Sequence, residues 1–350
     1  MKKLKRLMIA LIPMLLIHIS CVQQDIKKVE INGKFIGDIP ERFGFTIPVN
    51  QTSYMGFREI IELDSTGTFN IIVETDKPAL LSFWYLDSPS LIIEPGKNYN
   101  ILLERDQGMG LQIKGDLGKL QEFYNTLPHE NPMTCMYSFG EDISNYTSIW
   151  QNLQENLEKE VSAINELFDS EKLPDNIKDM LIADRTIYYM TAKSVLASAN
   201  NLRVRRENEE FLLEEIFSLW KEAVNGIKID NPYVLSSLYS WDFLQLYLWY
   251  EIYTNYDYDD FVKLRAENRA NNRTHAHNIE LAKEFLPNGI LEFFIAGTFY
   301  HQNMRRQYDD NLNSLFDQFK SNFPESNYLI FVEKTFENMI EKQKELVSMK

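Results

Sequence analysis

Cysteine is nearly missing from this 350-residue chain, which has only Cys21 and Cys135. Two thiols that far apart form no Cys-x-x-Cys redox pair and no cysteine-based zinc site. Basic charge is also in deficit, with 36 Lys and Arg against 51 Asp and Glu and a formal net charge of −15. Nucleic-acid binding needs a basic footprint, so that class is excluded. Glycine is thin after residue 118, where only four of the fourteen fall. The Gly-Met-Gly at 108–110 lacks the third glycine and the Lys-Ser/Thr of a phosphate cradle. No Gly-x-Ser-x-Gly elbow occurs. Long apolar runs are missing as well: the only one, Leu7 to Ile17, is shorter than the ~20 residues a bilayer span needs, and Pro13 interrupts it.

What that run does carry is a basic head, Lys2, Lys3, Lys5 and Arg6, in the form of a secretory signal. Ile19, Ser20 and Cys21 resemble the end of a bacterial lipobox, with His18 where Leu is usual. The expectation is a signal peptide over residues 1–20, lipidation of Cys21 and a place in the cell envelope. The anchor is to the outer membrane, facing the periplasm or the surface; ordinary signal cleavage is the alternative. Removing four of the 36 basic residues leaves 32 against 51 acidic ones, a mature charge of about −19. That charge repels anionic lipid headgroups, so the membrane partner is met only through the anchor. Cys135 sits in "PMTCMYSF", an apolar setting without basic neighbours, and reads as a buried small hydrophobe.

The remaining chain changes period once. Residues 26–114 hold short apolar runs separated by turn residues, among them Asp64-Ser65-Thr66-Gly67 and Glu94-Pro95-Gly96. Asn32-Gly33 reads as a hairpin turn inside "VEINGKFIG". From about Asp116 the apolar positions step by three and four, as in Ile143, Tyr146, Trp150, Leu153, Leu157, Val161, Ile164 and Phe168. Prolines 174, 232 and 324 mark later helix starts. The expected fold is α+β: an antiparallel β-sandwich of six or seven strands over residues 21–115, then eight or nine helices over 116–350.

Candidate sites are few. His275 and His277 stand two apart, a spacing that points them to different sides of a helix, so they read as solvated histidines rather than a metal pair. "DDNLNSLFDQFK" begins like a calcium loop at Asp309, but Ser314 and Lys320 replace its required Gly and Glu. His129 has no serine or cysteine context, and Arg265, Arg269, Arg273, Arg203, Arg205 and Arg206 read as surface ion-pair partners. The densest feature is residues 233–261, with eleven aromatics. Its Trp241, Tyr247, Trp249, Tyr250, Tyr253 and Tyr256 are either the centre of a helical bundle or a stacking surface for a ligand or partner. None of these patterns implies a catalytic residue, a metal or a cofactor.

The order of parts resembles the N-terminal portion of TlpA/ResA-type thioredoxin-like lipoproteins of Bacteroidetes. Their small β-domain, often labelled DUF4369, has a strand ending in an Ile-Glu-Pro-Gly turn, here Ile93 to Gly96. A Pro-x-Ser-x-Tyr helix start, here Pro324, Ser326 and Tyr328, stands shortly before their thioredoxin domain. The resemblance implies thiol–disulfide chemistry through a Cys-x-x-Cys pair, which this sequence lacks, so no catalytic residue carries over. The expected function is a non-catalytic binding or accessory module for a peptide or another envelope protein. A subunit or fragment of a thiol–disulfide interchange system and a glycan-binding module using the aromatic helix are the alternatives.

Overall fold

The computed structural model describes residues 27–84, 90–104, 110–114, 117–134 and 145–348. The proposed signal peptide, Cys21 and Cys135 lie outside them. Eight strands come first: β1 (Lys27–Ile36), β2 (Arg42–Val49), β3 (Thr52–Glu62), β4 (Thr68–Thr75), β5 (Ala79–Trp84), β6 (Ser90–Ile93), β7 (Asn98–Glu104) and β8 (Gly110–Lys114). Ten α-helices follow among the described residues: α1 (Gly118–Thr126), α2 (Tyr146–Glu171), α3 (Asp175–Arg206), α4 (Leu213–Val224), α5 (Ser240–Asn255), α6 (Tyr258–Ala270), α7 (Thr274–Phe285), α8 (Asn288–Arg305), α9 (Leu312–Asn322) and α10 (Leu329–Ser348). The chain is therefore α+β, with its sheets before its helices. No helix of the described residues is long and apolar enough to cross a membrane.

The strands form two four-stranded sheets, ordered β4-β1-β7-β8 and β3-β2-β5-β6. Pairing is antiparallel except between β1 and β7, which run parallel, so the first sheet is mixed rather than wholly antiparallel. Alternation explains how the sheets face each other. Val29, Ile31 and Phe35 of β1 and Phe69, Ile71 and Val73 of β4 point inward from one sheet, Phe43, Phe45, Leu81 and Phe83 from the other. Phe43 meets Phe35 at 5.1 Å and Phe69 at 4.7 Å between ring centroids, locking the layers together.

The turns at Gly67 (φ 64°) and Gly96 (φ 75°) stand where the sequence places them, in backbone that glycine adopts without strain. Asn32-Gly33 is not a turn, because β1 runs straight through it. Gly33 pairs with Phe69 across the strands, and a Cβ at residue 33 would fall 1.9 Å from the Phe69 Cζ. Its role is to make room for a ring, which a local turn signal cannot distinguish from a hairpin.

The inter-sheet core continues into helices: Leu117, Leu120, Tyr124, Ile164, Phe168, Ile177, Met180 and Leu181 belong to it. A second core gathers side chains from α2 to α10 and takes in Met55 and Val49 from the sheets. Of the apolar stripe read from Ile143, Ile143 lies outside the described residues and the rest lies on α2, with Trp150, Leu157, Ile164 and Phe168 buried. Pro174 and Pro287 directly precede α3 and α8 in extended conformation. Pro232 introduces only a short turn of 3-10 helix, and Pro324 stands five residues before α10.

Candidate functional site

The aromatic segment is used mainly between helices. Trp241 is 2 % exposed, stacked with Tyr54 (5.6 Å), Phe294 (6.0 Å) and His301 (4.5 Å). Gly297 on α8 permits this, since a Cβ there would lie 2.4 Å from the Trp241 Cδ1. Tyr250 and Tyr253 each approach Trp220 at 6.0 Å. Trp249 lies under the Arg265 guanidinium at 4.9 Å, and the Tyr256 hydroxyl donates to Glu284 at 2.6 Å. Tyr247 is half-buried, its phenol pushed up to about 12 by burial and by Glu251. The six rings therefore serve different neighbours.

A groove of about 300 Å³ lies elsewhere, between β3, the end of α8 and α10. Its aromatic walls are Phe57, Tyr300 and Phe331, with Phe331 meeting Phe57 at 5.6 Å and Tyr300 at 6.0 Å. Around them stand three cations, Arg58, Lys334 and Lys342, and one carboxylate, Glu59. Arg58 Nη2 donates to the Tyr300 hydroxyl at 3.1 Å, and Lys342 Nζ donates to Asn303 Oδ1 at 2.9 Å. The Lys334 ammonium lies 4.7 Å from the centroid of the Phe57 ring. Cations held over rings keep a desolvated face that favours carboxylate or phosphate groups. Such a patch is unexpected in a chain of net charge −15.

Other charged residues sit inside. On α3, Arg185 is fully buried and donates from Nε to Glu160 at 2.7 Å, while Asp184 accepts from Tyr124 and Ser237. The Lys193 ammonium donates to Gln154 at 2.6 Å and is pushed down by burial. His129 Nε2 donates to the Tyr124 carbonyl, 2.8 Å away, and the His129 carbonyl accepts from the Tyr239 hydroxyl.

The paired histidines are not solvated. His277 is 6 % exposed against Phe261, while His275 faces His301, and burial holds His275 and His301 down to about 4. They diverge as their spacing requires, but α7 packs both sides into neighbours. Asp309 is buried and accepts the Ala276 N–H at 2.7 Å, so it caps α7. Among the described residues no group of three or more His, Cys, Asp or Glu is placed to hold a metal ion.

The arginines mostly pair as charge balance suggests: Arg203 with Glu207 and Glu209, Arg206 with Glu207, Arg273 with Glu280. Arg203, Arg205 and Arg206 stand in the last turn of α3, where cations interact favourably with the helix dipole. Arg205 instead covers the Tyr258 ring at 4.0 Å.

Sequence reading missed the groove, because Arg58 and Lys334 lie on elements at opposite ends of the chain and no local pattern joins them. The chain matches no known protein-family model, no curated protein and no solved structure.

Proposed function

We propose that the protein is a lipid-anchored envelope module that binds an anionic partner, a peptide segment or another envelope protein, in the groove between β3, α8 and α10. The observation that carries this reading is the convergence of Arg58, Lys334 and Lys342 around Phe57, Tyr300 and Phe331 in an otherwise acidic chain. Long-range repulsion from the acidic surface confines an anionic partner to that patch. The anchor rests on the basic head, the apolar run and Ile19-Ser20-Cys21. The kinship proposed is with the N-terminal part of thioredoxin-like lipoproteins, without their dithiol chemistry.

Two measurements test it. A Cys21→Ser variant should leave the membrane fraction and lose incorporated fatty acid; retention of both overturns the anchor. A fluorescent hexaglutamate peptide should bind the protein, weaken with added salt and be lost in Lys334→Glu/Lys342→Glu. Equal binding by that variant overturns the groove.

A further inference from the structure

The register of β3 leaves a usable edge beside the groove. The Leu63 N–H donates to the Glu41 carbonyl at 2.9 Å, just beyond the β2–β3 register that pairs Arg42 with Glu62. In an antiparallel ladder the amide groups alternate in direction, so Phe57, Glu59 and Ile61 face β2 like Leu63. Ile60 and Glu62 therefore turn their N–H and C=O groups outward. Pro48, which has no N–H to give, pairs with Gly56 in the same outward-facing phase.

β3 is the last strand of its sheet, so the outward groups of Ile60 and Glu62 meet no neighbouring strand among the described residues. The Ile60 side chain is 62 % exposed. An edge of this kind is a template for another strand unless it is covered. The neighbouring groove carries three cations, Arg58 on β3 itself and Lys334 and Lys342 on α10, against the single carboxylate of Glu59.

We propose that β3 takes an extended acidic peptide as an added strand. Its backbone pairs with Ile60 and Glu62, and its carboxylates reach the cations of the groove. This rests on the groove reading above and names the form of its partner. At ~3.3 Å per residue, the exposed stretch from Glu62 to Arg58 pairs with about five residues of the segment, and the rest of it reaches over the groove. Strand addition supplies affinity through the main chain, and the groove supplies preference for acidic side chains.

The test uses the full chain and a seven-residue peptide alternating valine and glutamate, with a second copy N-methylated at alternate amides. Proline is tolerated at an edge position whose N–H faces out, so Ile60→Pro keeps the β2 pairing and blocks the added strand. The expected result is binding weakened tenfold or more by Ile60→Pro, by N-methylation and by Lys334→Glu. If Ile60→Pro alters the far-ultraviolet circular dichroism, the N-methylated peptide carries the test alone. Wild-type affinity for the N-methylated peptide overturns strand addition. If Lys334→Glu still weakens that binding, the groove reading stands; if neither peptide binds, both fall.

Discussion

Glu160→Leu tests how the charges inside the helical layers are held. The Arg185 side chain is fully buried, and its Nε–H···Oε2 contact with Glu160 is its one described hydrogen bond. Nη1 and Nη2 have no partner, and the Tyr188 ring lies 4.3 Å from the guanidinium carbon. Burial works against the charged form, yet Asp184 and Glu160 outweigh it and keep the group ionised. Removing Glu160 leaves a buried cation with its hydrogen bond gone, a change that costs about 3–5 kcal/mol. It also strips the Tyr189 hydroxyl of its acceptor, 2.6 Å away. At ~2.1 cal/mol/K of unfolding entropy per residue over the roughly 300 described residues, the expected fall in Tm is roughly 5–8 °C.

The companion variant, Glu160→Leu/Arg185→Met, removes both charges. Apolar replacement of a buried pair is neutral or stabilising in such settings, so most of the loss should return. Differential scanning calorimetry of the wild type, both single variants and the double variant closes the cycle. A Glu160→Leu protein within about 0.5 kcal/mol of wild type refutes the reasoning, as does a double variant no more stable than Glu160→Leu.

Two further outcomes follow from local environments. Burial pushes the Asp242 carboxyl up to about 6, against the opposing Asn131 hydrogen bond and the Arg305 charge. Its folded pKa then exceeds the unfolded value near 3.9, so the folded state binds the proton more tightly, and stability is lost as pH rises through about 6. Asp242→Asn should raise Tm at pH 7.5 and have little effect at pH 4; a gain equal at both pH values contradicts this. Gly33→Ala drives a Cβ into the Phe69 ring and should cost about 1–3 kcal/mol in urea unfolding. Phe69→Leu in the same chain should recover part of that cost, and strict additivity of the two changes refutes the contact.

The α+β class, the switch from strands to helices near residue 116, the buried stripe of α2 and the glycine turns at 67 and 96 were legible because each is a local property. Apolar period reports which face of an element is buried, and positive φ reports glycine, whatever the rest of the chain does. The proposed anchor at Cys21 is a sequence reading of the same local kind. Tertiary structure decided what depends on partners far along the chain. Gly33 lies under a ring on another strand, and the charged Asp184, Arg185 and Lys193 are buried because α3 is enclosed by its neighbours on several sides. Arg58 meets the α8 and α10 side chains only when β3 becomes a sheet edge against those helices. Local sequence specifies faces and turns; which faces meet, and which charges they bring together, is settled by long-range packing that leaves no periodic trace.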